Sequence, residues 1–167
     1  MWQGGDSARA RRVLRTIART ARIRSRPVPT IRQARAEDLS RIAEIRLGVT
    51  ENRLADPTAI SDQEVFWYLG QGVFLVSEDD AGRPQGFACA NPLNGYVWAL
   101  FVIDPEQGKG HGTALHDAML ASLKNAGHAQ AWLATGAGTK AIGFYERRGW
   151  RMTGTGLDGQ AVLVRAL

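Results

Sequence analysis

The stretch Leu100-Phe101-Val102-Ile103-Asp104-Pro105-Glu106-Gln107-Gly108-Lys109-Gly110-His111-Gly112-Thr113 decides the fold. Four apolar residues read as the end of a buried strand, Pro105 stops it, and alternating glycines open the next helix. The first N–H groups of a helix lack intrahelical partners, and the helix dipole adds positive potential there. Such a turn binds anions. Glycine lets the backbone approach the anion's oxygens closely, and Lys109 adds a positive charge. A di- or polyphosphate fits this chemistry. Two nucleotide fingerprints do not fit. A P-loop needs Ser or Thr directly after its Lys, and Gly110 stands there. A dinucleotide fingerprint needs a third glycine where Thr113 stands, and an acid about 20 residues further on. Residues 118–144 contain no Asp or Glu.

The flanking patterns place this turn in a mixed α/β domain. Residues 31–35 alternate as a short strand, and Leu39, Ile42, Ala43, Ile45 and Leu47 have helical spacing. Ser61-Asp62-Gln63-Glu64 has the capping-box pattern and opens a helix through Tyr68. Strands are predicted over 73–76 and 86–90, joined by the turn Asp79-Asp80-Ala81-Gly82. Asn94-Gly95 is a further turn before a long apolar strand over 96–103. On that strand, simple alternation puts Trp98, Leu100 and Val102 on one face. The helix after the glycine turn carries Leu115, Met119 and Leu123 on one side and ends at Gly127. A strand over 129–134, a helix over 139–148 and two strands at Trp150 and 161–164 complete the chain. The order β-α-α-β-β-β-α-β-α-β-β implies a central mixed sheet with helices on its faces, not a doubly wound alternation.

Charge divides the chain. The 167 residues carry a net charge of +5. Residues 1–28 hold eight Arg and one Asp, a net of +7, so residues 29–167 carry −2. The basic part, 1–28, is a weakly amphipathic extension in which Val13, Ile17 and Ala21 recur, closed by Pro27 and Pro29. It reads as a solvated extension. The functional alternatives are a membrane-surface helix, a nucleic-acid arm or a transit-like segment. The domain proper spans 29–167.

Several classes are excluded. One cysteine, Cys89, forms no internal disulfide, and its apolar neighbours make it a core residue. His111, His116 and His128 lack metal-ligand spacing, so no metal site is expected. No apolar run approaches a membrane span, and no apolar leader precedes the domain. A cytoplasmic location is expected.

Gln107-Gly108-Lys109-Gly110-His111-Gly112 resembles the Q/R-x-x-G-x-G/A signature of the GNAT superfamily of N-acetyltransferases. Ala141-Ile142-Gly143-Phe144-Tyr145-Glu146-Arg147-Arg148-Gly149-Trp150 resembles the second signature of that family, A-x-x-F-Y-x-x-x-G-[FW]. The stretches 49–54 and 135–141 are also similar to a bacterial-type subset. The resemblance covers the chain from about Thr30 onward and implies the GNAT fold, with helices on both faces of the sheet. It implies acetyl-CoA as cosubstrate and transfer of its acetyl group to a primary amine by direct attack. The acceptor is then a small-molecule or peptide amine. The resemblance also admits a homodimer, and as an alternative activity a non-catalytic acyl-CoA sensor or partner module.

By the same resemblance, Tyr145 is the general acid and Glu51 the candidate general base. Gln107, Gly108, Lys109, Gly110, His111, Gly112 and Thr113 hold the cosubstrate's diphosphate. Phe101, Val102 and Ile103 line its pantetheine, and a polar contact that the family often draws from an Asn where Gly138 stands is either missing or comes from Thr139. Glu51, Asn52 and Trp98 face the acceptor. His111 takes a position usually aliphatic and is expected to pack on the core from the helix start. Nucleic acid is an expected partner only through the basic extension.

Overall fold

Alternating side chains on strands that are apolar on both faces need helices above and below, and the sequence provides both. The computed structural model describes residues 28–51 and 60–167. Residues 1–27 of the extension and Asn52 lie outside them. The strands are β1 (Thr30–Gln33), β2 (Val73–Glu78), β3 (Pro84–Asn91), β4 (Tyr96–Val102), β5 (Gln130–Thr135), β6 (Arg151–Thr155) and β7 (Ala161–Ala166). The helices are α1 (Leu39–Gly48), α2 (Asp62–Gln71), α3 (His111–Asn125) and α4 (Lys140–Glu146). Short 3-10 turns at Ala36–Asp38 and Asp104–Glu106 join them. The strands form one sheet in the order β1-β2-β3-β4-β5-β7-β6. All neighbours are antiparallel except β4 and β5. The order of helices and strands is the one expected from the sequence.

Both faces of β2 and β3 are buried. Leu75, Ala88 and Ala90 pack with Leu115, Met119 and Leu123 of α3 and with Tyr145 of α4. Phe74, Val76, Phe87 and Cys89 pack with Ile42 and Ile45 of α1 and Tyr68 of α2. Burial pushes the Cys89 thiol well above its ordinary value, so it is a core group and not a thiolate. At β1, Arg32 grips Asp38 through two bonds of 2.7 and 2.9 Å and Glu78 through one of 2.6 Å, tying the strand to the turn before α1.

One expectation for β4 is corrected. Ala90 opposes Val97 while Cys89 opposes Ala99, so Trp98 is an extra residue in the ladder. This bulge resets the alternation. Leu100 and Val102 face α3, whereas Trp98 joins Ala99, Phe101 and Ile103 on the α1–α2 face. There the Trp98 ring stacks on Tyr68 with centroids 4.5 Å apart.

His116 of α3 is completely buried. Trp150 Nε1 can only donate, and it donates to His116 Nε2 at 2.9 Å. The proton of the neutral ring is therefore on Nδ1, which donates to Asp117 Oδ1 at 2.7 Å. Protonation would set a second N–H against the indole N–H. Desolvation, with Arg165 and Arg148 adding to it, holds this imidazole below its ordinary pKa despite Asp117. A depressed histidine contributes stability above its unfolded value of about 6.5 and loses it as pH falls through the lower folded value. Unfolding stability in urea is therefore expected to fall as pH drops from about 6.5. His116→Gln should flatten that slope, whatever its effect on stability at neutral pH. An unchanged slope in the variant would show that other groups set it.

Candidate active site

Parallel neighbours need a crossover, and α3 is the crossover between β4 and β5. The two strands pair in register only at Tyr96 and Trp132, whose rings lie 4.3 Å apart. Gly95 makes this junction close. Its φ is +71°, and a Cβ there would stand 2.9 Å from the Gln130 carbonyl oxygen. Beyond the junction the ladder stops, and a cavity of about 570 Å³ opens between the strands. Its walls are β4 from Val97 to Val102, the end of β5, the start of α3, and α4.

The backbone of β4 is polar along this cleft. Ile103 donates its N–H to Gln85 O at 2.9 Å, across to β3. Backbone direction alternates along an antiparallel pair. Phe101 therefore also turns its backbone to β3, while Leu100 and Val102 turn theirs to the cleft. The Val102 carbonyl is taken by Gln107 Nε2 at 3.2 Å, and Gln107 also donates to Asp104 Oδ1 at 3.0 Å. Of the strand residues expected to line a ligand, Val102 presents backbone. Phe101 offers its ring, and Ile103 is not part of the lining.

At one end of the cleft is the glycine turn. Gly108 and Gly110 have φ of +72° and +102°, the left-handed region, and Gly110 is the N-cap of α3. Gly112 lies inside the helix, and its Cβ would meet Phe144 at an ordinary 3.5 Å. Lys109 does not line the cavity; its Nζ donates to Glu106 Oε1 at 2.9 Å. His111 also turns away. Its buried ring places Nδ1 2.6 Å from the Ser77 hydroxyl and Nε2 3.8 Å from Glu106.

The other expected residues converge. Thr113 lines the cavity and its hydroxyl accepts from Arg148. Thr139 precedes α4 and donates to Gly136 O at 2.9 Å. Glu51 and Trp98 line the side facing α1 and α2, with Lys140 Nζ 3.7 Å from Glu51. Tyr145 lies between the two ends, packed edge-on against Phe144 and Trp150, each at 5.3 Å. Its burial pushes the phenol above its ordinary value, so it holds its proton. The described residues contain no group of three or more His, Cys, Asp or Glu able to hold a metal, and no helix long and apolar enough to cross a membrane.

Other lining residues were not anticipated, among them Leu100, Phe144 and Arg148. Leu100 was hidden by the bulge. Phe144 on α4 and Arg148 just past its end are four apart, a spacing at which side chains meet, and the guanidinium lies 3.8 Å over the ring. That spacing was the available signal.

The fold is similar to that of a GCN5-related N-acetyltransferase from Rhodopseudomonas palustris, at TM-score 0.71 and 20% identity over 84% of this chain and 97% of that one. It is also similar to a GNAT superfamily phosphinothricin acetyltransferase from Sinorhizobium meliloti, solved with AcCoA, at TM-score 0.71 and 24% identity over 84% and 89%. A third likeness is to yncA, a putative acetyltransferase from Salmonella typhimurium solved with its cofactor acetyl-CoA, at TM-score 0.70 and 20% identity over 84% and 95%. No curated protein sequence matches the chain. Residues 33–150 match the family model described as the acetyltransferase (GNAT) family, from before α1 to the end of the Tyr145 signature, and the chain belongs to that family.

Proposed function

We propose that the protein is an acetyl-CoA-dependent N-acetyltransferase that moves an acetyl group to a primary amine by direct attack. One observation carries this reading: a single cleft joins a glycine turn at its end, unpaired β4 backbone along its wall, and Tyr145 between them. Solved relatives that hold acetyl-CoA support it. The residues fit such a ligand. A Cβ at Gly108 would meet nothing within 4 Å, so the turn has room for an anion against its backbone.

Acetyl-CoA supplies a thioester reactive toward amines and a diphosphate. The amides from Gly108 to Thr113 hold the diphosphate, with Gln107 bracing the turn against β4. Backbone groups of Leu100 and Val102 pair with the extended pantetheine, and a β4 N–H polarises the carbonyl under attack. Phe101, Thr139 and the aromatic walls exclude water. Tyr145 O–H donates a proton to the departing sulfur. Burial keeps that proton in place at neutral pH, and the same dry surroundings raise the basicity of a thiolate formed beside it. The acceptor must lose a proton to attack, because an alkylamine with a reference pKa of about 10.4 is charged at pH 7. Glu51, on the opposite side of the cleft, accepts it directly or through water, and Trp98 and Asn52 contact the acceptor.

Thiol release from acetyl-CoA across a panel of amines tests the activity itself. In that assay Tyr145→Phe should lower kcat by about 100-fold, with KM for acetyl-CoA nearly unchanged. Turnover at the wild-type rate would remove Tyr145 as the acid.

The glycine turn has a separate test by calorimetry. Gly110→Ala forces a side chain into the left-handed region, a strain of about 1–2 kcal/mol. It should weaken acetyl-CoA binding by about tenfold, whereas Gly112→Ala, at helical φ, should stay within about twofold. Equal effects of the two would mean that the turn does not hold the ligand.

A further inference from the structure

We propose that Lys140 makes the acceptor side of the cleft selective for an amine that also carries a carboxylate, the chemistry of a free amino acid. This rests on reading the cleft as the site of an acetyl-CoA-dependent N-acetyltransferase, and it narrows the acceptor within that reading. Among the described residues that line the cavity, four are charged: Glu51, Lys140, Arg147 and Arg148. Arg148 is committed to the half at the glycine turn, where it is bonded to Thr113 and stacked on Phe144. Arg147 caps the end of α4 that is remote from Lys140. One negative and one positive group remain, and they stand together. Glu51 follows α1 on one face of the sheet, and Lys140 opens α4 on the other. They meet where β4 and β5 part, with Lys140 Nζ 3.7 Å from Glu51 Oε1.

That separation is longer than a hydrogen bond, and the Lys140 side chain is 89% exposed, so the contact holds neither group firmly. Such a pair is the complement of a zwitterion. An α-amino acid carries its amine and its carboxylate on one carbon and can offer one to each partner. The amine meets Glu51, which takes its proton before attack, and the carboxylate meets Lys140. Val49 and Trp98 line the same side and leave an apolar wall for the rest of the molecule. A second positive charge supports this polarity. Arg46 of α1 lays its guanidinium 4.3 Å from the centre of the Phe101 ring, which itself lines the cavity. Arg46 Nη1 is buried and has no hydrogen-bond partner among the described residues, and burial holds the guanidinium below its ordinary pKa. A desolvated cation without a counter-ion favours an anionic group nearby. The second charge of a diamine or a basic peptide would instead meet Lys140 and Arg46, and like charges brought together disfavour a partner.

The test measures thiol release from acetyl-CoA with each common amino acid, with its α-amide, and with the matching amine that lacks the carboxyl group. Wild type is compared with Lys140→Gln and Lys140→Glu, two changes that the exposure of Lys140 lets the fold accept, and calorimetry follows acetyl-CoA binding in all three. For the best amino acid, wild-type kcat/KM should exceed that of its amide by about tenfold. Lys140→Gln should bring the two substrates within about threefold, and Lys140→Glu should favour the amide. The ratio of the two substrates cancels any change that losing the lysine makes to Glu51 itself. Amides or simple amines used by the wild type as well as amino acids would overturn the proposal and leave the N-acetyltransferase reading intact. So would a preference for the carboxylate that survives in both variants. Weaker acetyl-CoA binding in Lys140→Glu with that preference unchanged would assign the lysine to the cosubstrate and defeat the proposal. A wild type that binds no acetyl-CoA, or binds it and acetylates no amine of the panel, would remove the enzyme reading and this proposal with it.

Discussion

A parallel strand pair that meets at one end only must account for the backbone groups along the rest of both strands. β4 and β5 are in register at Tyr96 and Trp132 alone. Unpaired backbone groups shut away from water cost about 1–3 kcal/mol each. The fold meets this constraint by keeping the gap open as a cleft, so that the backbone of Leu100 and Val102 faces open space while their side chains pack toward α3. The sheet remains one body because its α3–α4 face does not split. Leu115 and Met119 lie under the gap and share one core with Ala88 and Val97 on one side and Leu133 and Leu163 on the other. Polar links cross the same boundary. Trp150, just before β6, donates to His116 of α3, and Arg148, just after α4, reaches Thr113. The sheet is thus closed at Tyr96, open along the cleft, and held from beneath.

The bulge at Trp98 belongs to the same solution. Without the extra residue, Leu100 and Val102 would share a face with Trp98. With it, they pack on α3 while Trp98 turns to Tyr68 on the opposite side. The strand therefore gives small aliphatic contacts to the side with the glycine turn and aromatic ones to the side with Glu51. One inserted residue divides the cleft into two chemically different halves.

The sequence made most of the fold legible because its signals were local. Periodicity placed α1, α3 and β3, and Ser61, whose hydroxyl accepts from the Glu64 N–H at 3.2 Å, marked the start of α2. The glycine turn was legible for the same reason, since left-handed backbone at Gly108 and Gly110 demands that residue type. What escaped was non-local. A bulge depends on the register of β3 against β4, so alternation alone misplaced Trp98. Lys109 was expected to add positive charge to the turn and His111 to pack on the core from the helix start, but the sequence did not show which polar partners their side chains take. The Lys109 side chain goes to Glu106, a local partner three residues back, whereas His111 meets Ser77, 34 residues away. Polar partners so far apart in the chain leave no trace in spacing.

The two halves of the cleft also differ in how they hold a ligand, and this explains which half carries a family signature. The half at the start of α3 offers backbone amides and left-handed glycines, which do not depend on side-chain identity elsewhere. Its requirements fall on a few fixed positions, and a motif results. The opposite half works through side chains such as Glu51, Trp98 and Lys140, set on separate elements. Each can change without disturbing the turn or the sheet. Tyr145 lines the cleft between the two halves. Its position follows from its packing against Phe144 and Trp150 and not from any ligand, so its phenol stays fixed while the side chains of the opposite half are free to vary.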